Sequence, residues 1–196
     1  MNRISCLPNK SILSAIAALL LVGTLILAAG CGSGESTPRD GDNGGSEKGI
    51  PLETLAQGVN SEYGRIDELP IPEDAPPECM VLTDEEELRL LLSQAYIEEP
   101  LDEVDFDRYI VMVAMQGPKN TGGHAISIMH ASQAGTEIRV EVDVVEPEPG
   151  SMTAQILTSP YHLVTAERAD FASRGELIFT FVDGDDNLIS QAFAEI

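Results

Sequence analysis

Tyr109-Ile110-Val111-Met112-Val113-Ala114-Met115 is apolar at every position. A strand turns successive side chains to opposite faces, so a run apolar on both faces predicts a central strand of a sheet. Ile138, Val140, Val142 and Val144 alternate with Arg139, Glu141 and Asp143, which places one face on a core and the other in water. Leu177, Phe179 and Phe181 mark another strand, and Asp183-Gly184-Asp185-Asp186-Asn187 turns the chain into Leu188-Ile189-Ser190. Before Pro100 the period is helical: Leu88, Leu91, Leu92 and Ala95 share one face behind Thr83-Asp84-Glu85-Glu86. That tetrapeptide has the pattern of a capping box, with Thr83 accepting from the third helical amide while Glu86 reaches back. Pro70, Pro72, Pro76 and Pro77 make Leu69 to Pro77 an extended connector. The expected fold class is α+β, a mainly antiparallel β domain with one capped amphipathic helix packed on the sheet. Residues 51–196 contain no repeat and no long linker, so they are expected to form a single domain of about 145 residues, large enough for a stable core without cross-links.

The first thirty residues differ from the rest. Arg3 and Lys10 are their only charges, and Ser11 to Ala29 is an uninterrupted run of apolar or small residues. A positive start, an apolar stretch and Ala28-Ala29-Gly30 ahead of Cys31 have the form of a secretory signal with its cleavage site. Leu27-Ala28-Ala29-Gly30-Cys31 resembles a bacterial lipobox, which implies cleavage before Cys31 and a diacylglyceryl thioether on that residue. The same nineteen residues are also long enough to span hydrocarbon as a helix. Either way the basic residues lie on the retained side, which puts the remainder outside the cytoplasm. On the lipobox reading, residues 1–30 are the signal, and 31–50 are the lipidated cysteine with a flexible tether. Gly32 to Gly49 holds six glycines among Ser, Asp, Glu, Asn and Pro, a composition that cannot bury itself.

Charge removes one class of partner. Across 196 residues, 33 Asp+Glu stand against 11 Lys+Arg, a formal net charge of -22, and the surface field repels phosphate backbones. Nucleic acid is therefore excluded as a partner. Cys6, Cys31 and Cys79 form no Cys-x-x-Cys pair, so neither a disulfide scaffold nor a zinc site is expected. With Cys6 removed and Cys31 lipidated, Cys79 is expected to be a small core hydrophobe.

Catalytic patterns are equally thin. No Gly-x-Ser-x-Gly turn occurs, and His124, His130 and His162 form no His-x-x-x-His pair. Asp183 to Asn187 opens like a calcium loop, but Leu188 stands where the sixth-place glycine belongs and Ala194 where the twelfth-place glutamate belongs. A solvated hairpin turn is the favoured reading, with weak, non-selective calcium binding as the alternative. The expectation is a protein with no catalytic residue, no metal and no cofactor.

Identity is carried by the segment after the central strand. Asp105-Phe106 or Phe106-Asp107, Gly117, Thr121-Gly122-Gly123, Pro149-Gly150 and Ser159-Pro160-Tyr161 fall in the order of the C-terminal domain of the PrcB protease-complex-subunit family, which this chain resembles from Val104 to Val164. His124 stands where that family has an aromatic, usually Tyr. The resemblance implies association with, and stabilisation of, an exported protease, without catalysis by the domain itself. Asn120-Thr121-Gly122-Gly123-His124 also resembles, more loosely, the cleft-inserting loop of chagasin-related inhibitors of cysteine proteases. An exported solute- or polymer-binding module is a third possibility. Read from the residues alone, Thr121-Gly122-Gly123 is either a tight hairpin fixing strand register or a partner-binding loop that offers glycine amides. The candidate contact residues are Asn120, Thr121, Gly122, Gly123 and His124, with Pro160 and Tyr161 as a second edge.

Overall fold

The computed structural model describes residues 47–64, 71–99, 101 and 104–196, all within a compact unit that runs from Asp42 to Ile196. The expected signal, Cys31 and the spacer as far as Ser46 lie outside the described residues. Among the described residues no helix is long and apolar enough to cross a membrane.

The strands are β1 (Lys48–Ile50), β2 (Glu53–Gly58), β3 (Glu78–Leu82), β4 (Tyr109–Met115), β5 (Ala125–Ala134), β6 (Glu137–Val145), β7 (Tyr161–Glu167), β8 (Glu176–Val182) and β9 (Leu188–Glu195), with one helix, α1 (Glu85–Gln94), after β3. They form a five-stranded sheet in the order β1-β5-β6-β8-β9 and a four-stranded sheet in the order β2-β7-β4-β3. Every neighbouring pair is antiparallel except β6 with β8. That parallel pair arises because β7, which lies between them in sequence, belongs to the other sheet.

The uniform apolarity of β4 now has its cause. Ile110, Met112 and Ala114 face a core between the sheets with Ile126, Val140, Phe179 and Phe181. Val111, Val113 and Met115 face a second core with Leu88, Leu91 and Leu163, beneath α1. Alternation on β6 works as expected, with Ile138, Val140 and Val142 buried. Its outward Arg139 meets Glu141 at 3.3 Å and also pairs with Asp186.

Several expectations change in detail. Lys48–Ile50, read as the end of the tether, pairs with Ser132 and its neighbours on β5, so ordered backbone begins before residue 51. The helix is capped by Asp84 rather than Thr83: the Asp84 carboxylate accepts from the amides of Glu86 and Glu87, each at 2.9 Å. Thr83 is occupied one position earlier, its amide donating to Glu87 Oε2 at 2.6 Å. Leu92 is 41% exposed and lies outside the apolar face, which is built from Leu88, Leu91 and the C-cap Ala95. The proline-rich connector is not wholly extended, because Ala75 N–H closes a turn on Pro72 O at 3.0 Å. Cys79 is buried, and burial pushes its thiol up to about 12, which keeps it protonated.

Candidate functional site

Residues 116–124 link β4 to β5, and these strands belong to different sheets. The segment is therefore a crossing between layers, not the tight hairpin that was one expectation. Its backbone is fastened along a second segment. Gln116 N–H donates to Pro160 O at 3.0 Å, Lys119 exchanges both bonds with Thr158 at 2.8 and 2.9 Å, and Gly122 N–H donates to Ala154 O at 2.9 Å. Thr158 Oγ1 donates to Thr121 O at 3.0 Å. Gly123 sits at φ +93°, a left-handed conformation open to glycine and strained for other residues.

These bonds revise the expected contact set. Gly122 is buried and its amide is already used, so it cannot be offered to a partner strand. Pro160 and Tyr161 are buried, and β7, which opens on Tyr161, has β2 on one side and β4 on the other. They form no second edge; the Tyr161 hydroxyl instead donates to Glu99 Oε2 at 3.0 Å. Asn120 and Gly123 are exposed, with the Asn120 amide hydrogen-bonded to the Glu73 carboxylate. Thr121 Oγ1 lies 3.3 Å from His124 Nε2.

The facing segment contributes what the sequence reading missed. Met152, Ile156 and Leu157 are exposed, and a Cβ built on Gly122 would stand 3.4 Å from Ile156. The apolar residues Met152, Ile156 and Leu157 between the turn at Gly150 and the start of β7 were the available signal.

Beside this pair of segments lies a cleft of about 640 Å³ at the ends of the strands. The turn before β3 supplies Glu73 to Pro77, the end of β4 supplies Gln116, and the end of β6 supplies Val144 and Glu146. Gln116 is only 2% exposed. Its Nε2 faces Val145 O at 3.4 Å, while its Oε1 and His124 Nδ1 are buried without hydrogen-bond partners. Burial, and secondarily the Lys119 charge, lowers the pKa of His124, so the ring is neutral at pH 7. Lys119 Nζ donates to Glu73 O at 2.7 Å.

Elsewhere the polar residues are absorbed by the fold. His162 Nδ1 accepts from Ile128 N–H at 2.8 Å and its Nε2 lies 3.1 Å from Thr54 Oγ1. Ser159 Oγ lies 2.9 Å from Ser61 Oγ, and Ser127 Oγ accepts from Gln57 at 2.8 Å. Asp183 Oδ1 accepts from the amides of Asp185 and Asn187, each at 2.9 Å, closing the acidic turn on itself. No group of three or more His, Cys, Asp or Glu able to hold a metal occurs among the described residues.

The stretch from β4 through β7 carries a likeness to a known family. Residues 110–167 match the PrcB C-terminal family model. The PrcB-like stretch thus begins at the central strand and takes in the crossing, the facing segment and β7, while Asp105 and Phe106 lie just before it. No curated protein and no solved structure matches the chain.

Proposed function

We propose that the chain is a non-catalytic protein-interaction module, tethered outside the cytoplasm by lipid on Cys31, that acts as an accessory or stabilising subunit of an exported protease. The observation that carries this reading is the PrcB C-terminal match over β4 to β7. The surface beside the crossing supports it. Met152, Ile156 and Leu157 expose apolar area next to Asn120 and Gly123, on a segment fastened to a rigid sandwich. Exposed apolar groups rimmed by polar ones are what an interface core requires.

The test is capture of partners by the full chain in mild detergent. A protease should be recovered, and its lifetime in cells should fall when this protein is deleted. Replacing both Ile156 and Leu157 by Asp should reduce recovery by about ten-fold without lowering the melting temperature, since both are exposed. Unchanged recovery would remove this face from the interface. Absence of any protease, together with inhibition of a papain-type enzyme by the full chain, would assign the protein to the inhibitor class instead.

A further inference from the structure

One buried atom in the cleft specifies what it should hold. Gln116 lies at the inner end of β4, and its amide orientation is set by Val145 O, which can only accept and so takes the Nε2 side at 3.4 Å. Oε1 is left buried with no donor. An unmet buried carbonyl costs about 1–3 kcal/mol, so the cleft is short of a hydrogen-bond donor.

The rim decides which donor. Glu73, Asp74 and Glu146 line the cleft against Lys119, whose ammonium is already held by Glu73 O, and the neutral His124 adds no positive charge. An anion is disfavoured by this balance. Pro76, Pro77 and Val144 add an apolar wall. A buried acceptor, surplus carboxylates at the mouth and an apolar wall are the complement of a long side chain with a methylene stem and a cationic tip. We propose that this cleft receives a lysine or arginine side chain of the partner polypeptide, the Gln116 side chain turning out of the cleft wall so that its carbonyl oxygen accepts from the cationic tip. The inference rests on the reading of the chain as an interaction module and gives that reading a chemical specificity.

The test uses the full chain in detergent micelles, titrated calorimetrically with capped Gly-Gly-Xaa-Gly-Gly peptides in which Xaa is arginine, lysine or the neutral isostere citrulline. Arginine and lysine peptides should bind at least about ten-fold more tightly than citrulline. Gln116→Leu should weaken them by a similar factor. Because a core change can disturb folding, the surface pair Asp74→Asn with Glu146→Gln provides the second arm. It should weaken cationic peptides and flatten their salt dependence at an unchanged melting temperature. Equal binding of the citrulline peptide, no binding of any peptide, or indifference to both sets of substitutions would overturn the proposal. Spermidine binding more tightly than either cationic peptide would also overturn it, by assigning the cleft to free amines. Partner capture that survives the Asp74→Asn, Glu146→Gln pair undiminished would overturn this inference while leaving the interaction reading intact.

Discussion

The His162 side chain on β7 ties in β2 and β5, and its protonation state is written in its bonds. Nδ1 accepts from Ile128 N–H on the opposite sheet, so the proton must sit on Nε2, which donates to Thr54 Oγ1 on β2. Burial lowers the His162 pKa by penalising the charged ring, and a second proton on Nδ1 would in addition face an N–H donor. The unfolded chain, with histidine near about 6.5, takes up the proton first as pH falls. His162 therefore contributes fully above about pH 6.5, and that contribution is lost as pH drops from there towards the lower folded pKa. Urea unfolding followed from pH 7 to 5 should show this loss in a His124→Asn background and show less of it when His162→Gln is added. Parallel curves would refute the assignment. Gly58 offers a second residue-scale prediction. A Cβ there would lie 2.6 Å from the Tyr161 ring, which is held by its hydroxyl bond to Glu99. Gly58→Ala should cost about 1–3 kcal/mol in chemical denaturation, and a neutral effect would show that the ring moves freely.

At the scale of elements, α1 depends on a cap shifted by one residue from the pattern its sequence suggests. Asp84→Ala removes the acceptor of two amides and should destabilise the domain by about 1 kcal/mol, read as a lower midpoint of thermal unfolding. Thr83→Ala, which leaves that acceptor in place, should cost less; the opposite ranking would restore Thr83 as the cap. The sequence made β4, β6 and β8 legible because each keeps a clean burial rule along its length. On β5 the rule breaks, since a bulge between Ile128 and His130 shifts the register and the buried positions include Ser132 and Gln133. Gln133 fits there because its side chain bonds the nearby Gly135 O at 2.8 Å and Ala172 N–H at 2.6 Å, the second a partner far along the chain. Likewise Tyr161 and Pro160 looked like an edge because pairing partners are a property of the whole sheet. The crossing at 117–124 was recognisable by its glycines and by family likeness, but its fastening to 154–158 depends on contacts between distant segments. The cleft was hidden for that reason too: Glu73, Gln116 and Glu146 are brought together only when three strand ends meet.

For the whole molecule, two cores divided by β4 make a three-layer body: sheet, sheet and helix. The segment matching the PrcB C-terminal model holds two adjacent strands from each sheet, β4 with β7 and β5 with β6. Neither pair is self-sufficient, because β3 covers the far side of β4 and β8 the far side of β6. The parallel β6–β8 pair has a consequence for how the molecule comes into being. During synthesis β1 and β2 emerge early, yet their partners β5 and β7 follow only after long stretches of chain. Such non-local pairing places folding in the slow range of roughly milliseconds to seconds. The five-stranded sheet stays open until β8 and β9 arrive, since β8 brings Phe179 and Phe181, with Leu177 beside them, to the inter-sheet core. A ribosome that stalls before Glu176 would leave β6 with a bare edge and the inter-sheet core without its Phe179 and Phe181 rings, so this domain acquires its shape only once β8 has been made.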